Sequence, residues 1–122
     1  MSLYYDRLGQ PIFSFVWSEK IENRKYARIG YKRFGGLRVS TVWLGLDHGF
    51  GDGPPLIFET MVFDNYSGKG IMLDGKPIGL IAGKDRLQWR YATEAEARKG
   101  HMRAVYLTSL AAARRRARKR KR

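Results

Sequence analysis

The sequence predicts a single α+β domain: a mainly antiparallel sheet of about four or five strands, a short N-terminal helix, and a C-terminal helix ending in a basic tail. Three observations predict it. The chain has 122 residues, the size of one domain, and 43% of them are hydrophobic and 13% aromatic, enough side chain to build a core. Its middle is rich in β-branched and aromatic residues punctuated by Gly35-Gly36 and Asp74-Gly75, the pairs that tight antiparallel hairpins need. Its last third opens on a capping pair, Thr93 and Glu96, and continues with small and apolar residues at helical spacing before a run of bases.

Taken in order, a short apolar start at 3–5 precedes a turn at 9–11. Ser14 is placed to cap a helix through Glu22, with Phe15, Trp17 and Ile21 as core contacts; a strand over 12–17 competes with it. Residues 26–34 and 37–46 form the clearest hairpin, turning at Gly35-Gly36. Strict alternation puts Tyr26, Arg28, Gly30 and Lys32 on one face and Ala27, Ile29, Tyr31 and Arg33 on the other. A glycine-rich connection, 47–55, leads to a third strand at 56–63. There Leu56, Phe58, Thr60 and Val62 face one way and Ile57, Glu59, Met61 and Phe63 the other; both sets are largely apolar, as in a central strand. A second hairpin, 71–73 and 77–81, turns at Asp74-Gly75, and 87–91 is a further strand. The final helix carries Ala97, Gly100 or His101, Ala104, Val105, Leu107, Leu110 and Ala111 as its sheet-facing stripe. The domain is expected over 1–113 and the tail over 114–122.

Charge narrows the classes of partner. Lys+Arg 24 against Asp+Glu 11 gives +13, and eight of those bases stand in the last nine residues: Arg114, Arg115, Arg116, Arg118, Lys119, Arg120, Lys121 and Arg122. The rest of the chain has sixteen bases against eleven acids, or +5. A block of this kind binds phosphates without reading sequence, and its affinity falls steeply with salt because each neutralised phosphate releases counterion. Arg28, Lys32 and Arg38, interleaved with Tyr26, Tyr31 and Phe34, extend the expected footprint with rings suited to base stacking. No apolar run approaches the roughly 18 to 20 residues of a membrane span, and the stretch 111–113 before the tail has little apolar area for lipid, so a membrane partner is not expected. With no cysteine, thiolate metal sites, disulfides and a cysteine nucleophile are excluded. The N-terminus lacks a secretory layout, and a cytoplasmic location is expected.

Asp47, His48, Asp52 and Glu59 are weak candidates for a divalent metal, since a hydrolytic site on nucleic acid needs such oxygen and imidazole donors. Their spacing matches no metal motif, and Asp and Gly are also what a tight connection requires, so the structural reading is favoured. Neither a metal nor any other cofactor is expected. The stretch Gly49, Phe50, Gly51, Asp52, Gly53 is followed by Pro54-Pro55 rather than Lys-Ser or Lys-Thr, which excludes a triphosphate loop. His101 reads as a helix-packing residue, and Trp17, Trp43 and Trp89 read as core anchors.

The run VSTVWLGLDH at 39–48, followed by GPPLIFETMVF at 53–63 and RYATEAEARKGH at 90–101, resembles a family of small proteins encoded by tailed bacteriophages and prophages. The resemblance spans about half the chain and keeps three motifs in one order. It implies a viral origin and a compact α+β domain, and it transfers no catalytic residue; the host cytoplasm is the expected location. The 71–81 hairpin and the basic tail stand outside it. The leading expectation is a non-enzymatic accessory protein that binds DNA or RNA through the tail. One alternative is an inhibitor of a host nucleic-acid enzyme or defence ribonucleoprotein, in which a host protein is the partner. A second is a metal-dependent nuclease. Edge strands leave the oligomeric state open.

Overall fold

The computed structural model describes residues 3–47, 52–64, 71–73, 76–78 and 87–120. Strands β1 (Tyr4–Tyr5) and β2 (Pro11–Ile12) pair antiparallel, followed by helices α1 (Ser14–Glu22) and α2 (Arg24–Ala27). Strands β3 (Arg28–Phe34), β4 (Leu37–Trp43), β5 (Phe58–Asp64) and β8 (Leu87–Tyr91) form a four-stranded antiparallel sheet in the order β3-β4-β5-β8. Between β5 and β8, β6 (Ile71–Leu73) and β7 (Lys76–Ile78) make a separate antiparallel pair, and α3 (Glu94–Arg120) closes the chain. This is the α+β architecture expected, with β4 and β5 central and the long helix packed on one face.

The sheet alternates as a half-buried sheet must. Leu37, Val39, Thr41 and Trp43 of β4 are buried, and in the neighbouring strand Phe58, Thr60 and Val62 stand opposite Trp43, Thr41 and Val39. Two core clusters result. Leu37, Val39 and Val62 pack on Ala104, Ala111 and Ala112 of α3, with Phe34, Trp89, Val105 and Leu107 at the margin. Trp43, Ile57 and Phe58 pack on Ala27 and Ala97, with Tyr5, Trp17, Ile21, Tyr26 and Tyr91 around them. All three tryptophans thus pack into or against the core, and two are pinned by hydrogen bonds: Trp17 Nε1 donates to the Leu44 carbonyl at 2.8 Å and Trp43 Nε1 to that of Tyr5 at 3.1 Å.

Several local expectations are corrected. Ser14 does not cap α1: the N-cap is Phe13, with no side-chain cap bond, and Phe15 is exposed and stacked on Phe13 at 5.7 Å instead of entering the core. The segment before β3 is not strand but the short turn of α2, because the Asn23 side chain accepts from the Tyr26 amide at 3.3 Å and starts a helical turn. On α3 the sheet-facing row is Ala97, Ala104, Thr108, Ala111 and Ala112, so Leu110, expected inside, is 41% exposed. Met102, Tyr106 and Leu110, four residues apart, share the outer side of that helix.

The start of α3 is fixed from two directions. Thr93 Oγ1 accepts from the Glu96 amide at 3.2 Å and donates to the Glu96 carboxylate at 2.9 Å, half of the expected reciprocal capping box. Glu94 binds Arg7 at 2.6 Å and Arg98 at 2.7 Å. Burial alone would raise the Glu94 carboxyl, but these arginines outweigh it and hold the group below its usual range. Gly45 bridges β4 to β1 through its carbonyl, which accepts from Tyr5 at 2.8 Å. Its φ is +71°, and a Cβ there would stand 2.5 Å from Trp43 and 2.7 Å from Trp17. Gly45→Ala is expected to lower unfolding free energy by on the order of 3 kcal/mol, combining left-handed strain with displaced tryptophans. Urea denaturation followed by tryptophan fluorescence measures it, and a loss below about 1 kcal/mol would contradict the packing described.

Candidate nucleic-acid interface

The basic C-terminal segment is helical. α3 runs without a break across 113–114 to Arg120, so six of the eight expected tail cations, Arg114, Arg115, Arg116, Arg118, Lys119 and Arg120, lie on one continuous helix. Lys121 and Arg122 lie outside the described residues. At 27 residues the helix is about 40 Å long, whereas a seven-residue strand spans about 23 Å, and the helix therefore overhangs the sheet.

The six cations divide by role. Arg115 turns inward and forms a two-pronged bond to the β5 residue Asp64, Nη1 to Oδ1 at 3.1 Å and Nη2 to Oδ2 at 2.8 Å. The Asp64 side chain is fully buried and that of Arg115 is 18% exposed, so this pair fixes the helix on the sheet and Arg115 serves as an anchor. Arg114, Arg116, Arg118, Lys119 and Arg120 are exposed. Arg116 and Lys119 line a cleft of about 140 Å³ against Phe34 and the Gly35-Gly36 turn, which places them beside the β3–β4 hairpin.

Arg28, Lys32 and Arg38 do not share a face. A β-bulge shifts the register between Arg28 and Gly30, so that Arg28 stands opposite Val42 while Gly30 stands opposite Thr41. The extra residue moves Arg28 onto the outward face with Tyr31 and Arg33, leaving Lys32, opposite Val39, on the α3 side. The expectation that Arg28 and Lys32 share a wet face is overturned by this bulge. Outward residues then fall into three rows across the sheet: Arg33, Arg38 and Phe63; Tyr31, Ser40, Met61 and Gln88; Arg28, Val42, Glu59 and Arg90. The Arg28 guanidinium lies 5.2 Å from the Tyr31 ring centroid and that of Arg38 5.0 Å from the Phe63 centroid. Arg90 is held by Glu59 at 3.1 Å.

The carboxylates weighed for a metal are dispersed. Glu59 is bound to Arg90, and the Asp47 Oδ1 accepts from the Leu56 amide at 3.0 Å, tying the two ends of its connection together. Asp52 is exposed, and His48 lies outside the described residues. Among the described residues no three His, Asp or Glu side chains approach one another closely enough to hold a metal ion, and no helix is long and apolar enough to cross a membrane.

A buried polar layer separates the two core clusters. Thr41 Oγ1 lies 2.6 Å from Thr60 Oγ1 and 2.7 Å from His101 Nδ1, and both threonines are fully buried. Gly30 permits this approach, since a Cβ there would stand 2.5 Å from His101 Nε2. Burial holds the His101 imidazole below its usual value, and burial likewise raises the Tyr91 phenol. His101 is thus the packing residue its place in the helix implied, wedged between helix and sheet.

Two predictions follow from this geometry. Arg115→Gln leaves a buried carboxylate without its main partner and is expected to cost about 3 kcal/mol, whereas adding Asp64→Asn restores most of the loss; a thermodynamic cycle from denaturant unfolding measures both. Because the folded-state pKa of His101 is depressed, its contribution is complete above the unfolded value near 6.5 and is lost as pH falls toward the folded value. The wild-type chain is therefore expected to lose stability between pH 7 and pH 5 more steeply than His101→Gln; equal slopes would dissociate the loss from this imidazole. No family model matches the chain, and neither does any curated protein or solved structure.

Proposed function

We propose that the chain is a phage-encoded, non-enzymatic accessory protein that binds nucleic acid in the host cytoplasm through the overhanging end of α3. The observation that carries this reading is the presentation of Arg114, Arg116, Arg118 and Arg120 as exposed cations on a helix anchored by Arg115. Like charges this dense repel one another in an isolated helix, and phosphates relieve that repulsion. Anchoring adds to affinity because the rod is already ordered before it meets its partner. The phage origin is supported by the three sequence runs at 39–48, 53–63 and 90–101.

The contact is expected to be to phosphate rather than to bases, since a helix with cations on opposite sides has no single face that reads base edges. Replacing Arg114, Arg116, Arg118 and Arg120 together by Gln keeps the helix and the Arg115 anchor, unlike a truncation at Ala113, which would remove that anchor too. The slope of log affinity against log salt is expected to become shallower by about 3 to 4 on duplex DNA, at roughly 0.9 per phosphate contact. An unchanged slope overturns the reading, and nuclease-resistant retention of a host protein would favour the inhibitor alternative.

A further inference from the structure

The sheet face turned away from α3 has a composition that fold stability does not require. Every fully buried apolar residue of β4 and β5 lies on the α3 side, while Tyr31 on the outward face is 42% exposed and Phe63 is half-buried. Each ring has a guanidinium laid against it, Arg28 on Tyr31 and Arg38 on Phe63, and Arg33 shares a row with Arg38. None of these three arginines is paired with a carboxylate among the described residues, in contrast to Arg90 and Arg115. The Arg38 Nε is buried without a hydrogen-bond partner among those residues, and its guanidinium lies against the Phe63 ring.

We propose that this face is a second contact surface, specific for single-stranded nucleic acid. The inference rests on the nucleic-acid reading above and deepens it by naming the class of strand. Tyr31 and Phe63 take unpaired bases, and Arg28, Arg33 and Arg38 hold the phosphates that run between them. Two strand spacings, about 10 Å, and two residues of rise, about 7 Å, separate the rings, so each takes a different base. Selectivity for a single strand is steric as well as chemical. A duplex buries the faces of its bases in its own stack and would meet a broad sheet only with its backbone, leaving both rings unused. An unpaired strand presents base faces and phosphates alternately, and along β3 the outward side chains Arg28, Tyr31 and Arg33 alternate guanidinium and ring in the same way. Charge complementarity supports that occupant, because three cations on a small face, none with a carboxylate partner among the described residues, favour a regularly anionic ligand.

Fluorescence anisotropy with the full chain tests it, using dye-labelled deoxythymidylate and uridylate oligomers of about twelve nucleotides and a duplex of the same length. Tyr31→Leu and Phe63→Leu are each expected to weaken single-strand binding roughly five- to hundredfold and to leave duplex binding within about twofold. Tyr31→Phe keeps the ring and is expected to bind as the wild type does. Tyr31 is the more exposed ring, and thermal midpoints of all variants verify that the fold survives. Unchanged single-strand affinity in both Leu variants, or equal losses on duplex and single strand in folded protein, overturns the inference while leaving the helix reading intact. Failure of the wild type to bind any probe overturns both. A preference between the deoxythymidylate and uridylate oligomers assigns the strand to DNA or RNA, and either result supports the surface.

Discussion

The close approach of one long helix to one small sheet governs most of this molecule. Its contact row is built from small residues, Ala97, Ala104, Thr108, Ala111 and Ala112, so backbone comes near backbone and the sheet side supplies the bulk through Trp43, Phe58, Leu37 and Val39. At one close point the strand gives up its own side chain, because His101 occupies the space above Gly30. A helix that packs so closely is held in a definite axial position, and its length then dictates that the last turns extend past the strands. The Asp64–Arg115 pair sits just past Ala111 and Ala112, the last buried residues of the contact row. A buried carboxylate thus ties the helix to the sheet among its C-terminal arginines.

The polar layer between the two core clusters has a related role. Thr41, Thr60 and His101 form a chain of short hydrogen bonds across the interface of helix and sheet, where apolar side chains alone would permit the helix to slide by a turn. Hydrogen bonds impose a register that dispersion forces do not, and in a dry interior each is costly to leave unmade. Thr108 Oγ1, buried without a hydrogen-bond partner among the described residues, shows the opposing cost of placing hydroxyls under a helix.

The readable part of the fold was that written in local chemistry. Gly35-Gly36 marked the hairpin, Thr93 and Glu96 marked the helix start, and the two apolar faces of 56–63 marked a central strand, because each signal depends on residues within a few positions of one another. The errors came where one residue changes phase. The bulge after Arg28 adds a single residue to β3 and reverses the facing of everything N-terminal to it, with no cue in composition. Similarly, Leu110 and Thr108 differ by about 200° around a helix, and only the sheet decides which is covered. The Asp64–Arg115 bond joins residues 51 apart, so Arg115 was indistinguishable in sequence from its neighbours; an acid ending an apolar strand was the available sign that some cation must be buried with it. Asp47, one of the weak metal candidates, has a local role that was legible, since it closes its loop by accepting a backbone amide.

The basic residues of β3 invite a simpler explanation, that they protect an edge. β3 ends the strand order, and a bulge, Lys32 and flanking arginines are what discourages another strand from pairing with an exposed edge. That explanation covers Arg28, Lys32 and Arg33 but reaches no further, because edge protection depends on charge along β3 alone. It requires nothing of Arg38 on β4 or Phe63 on β5, which lie inside the sheet, and it gives no reason for guanidinium groups to be laid against rings rather than extended into water. Burial gives no reason either, since Tyr31 contributes little apolar area to either core cluster while keeping a large part of its ring in solvent. Ring and cation pairs spread over three strands of one face are accounted for by a ligand that offers flat π surfaces and negative charge together, and that conjunction is the chemistry of an unpaired nucleic-acid strand.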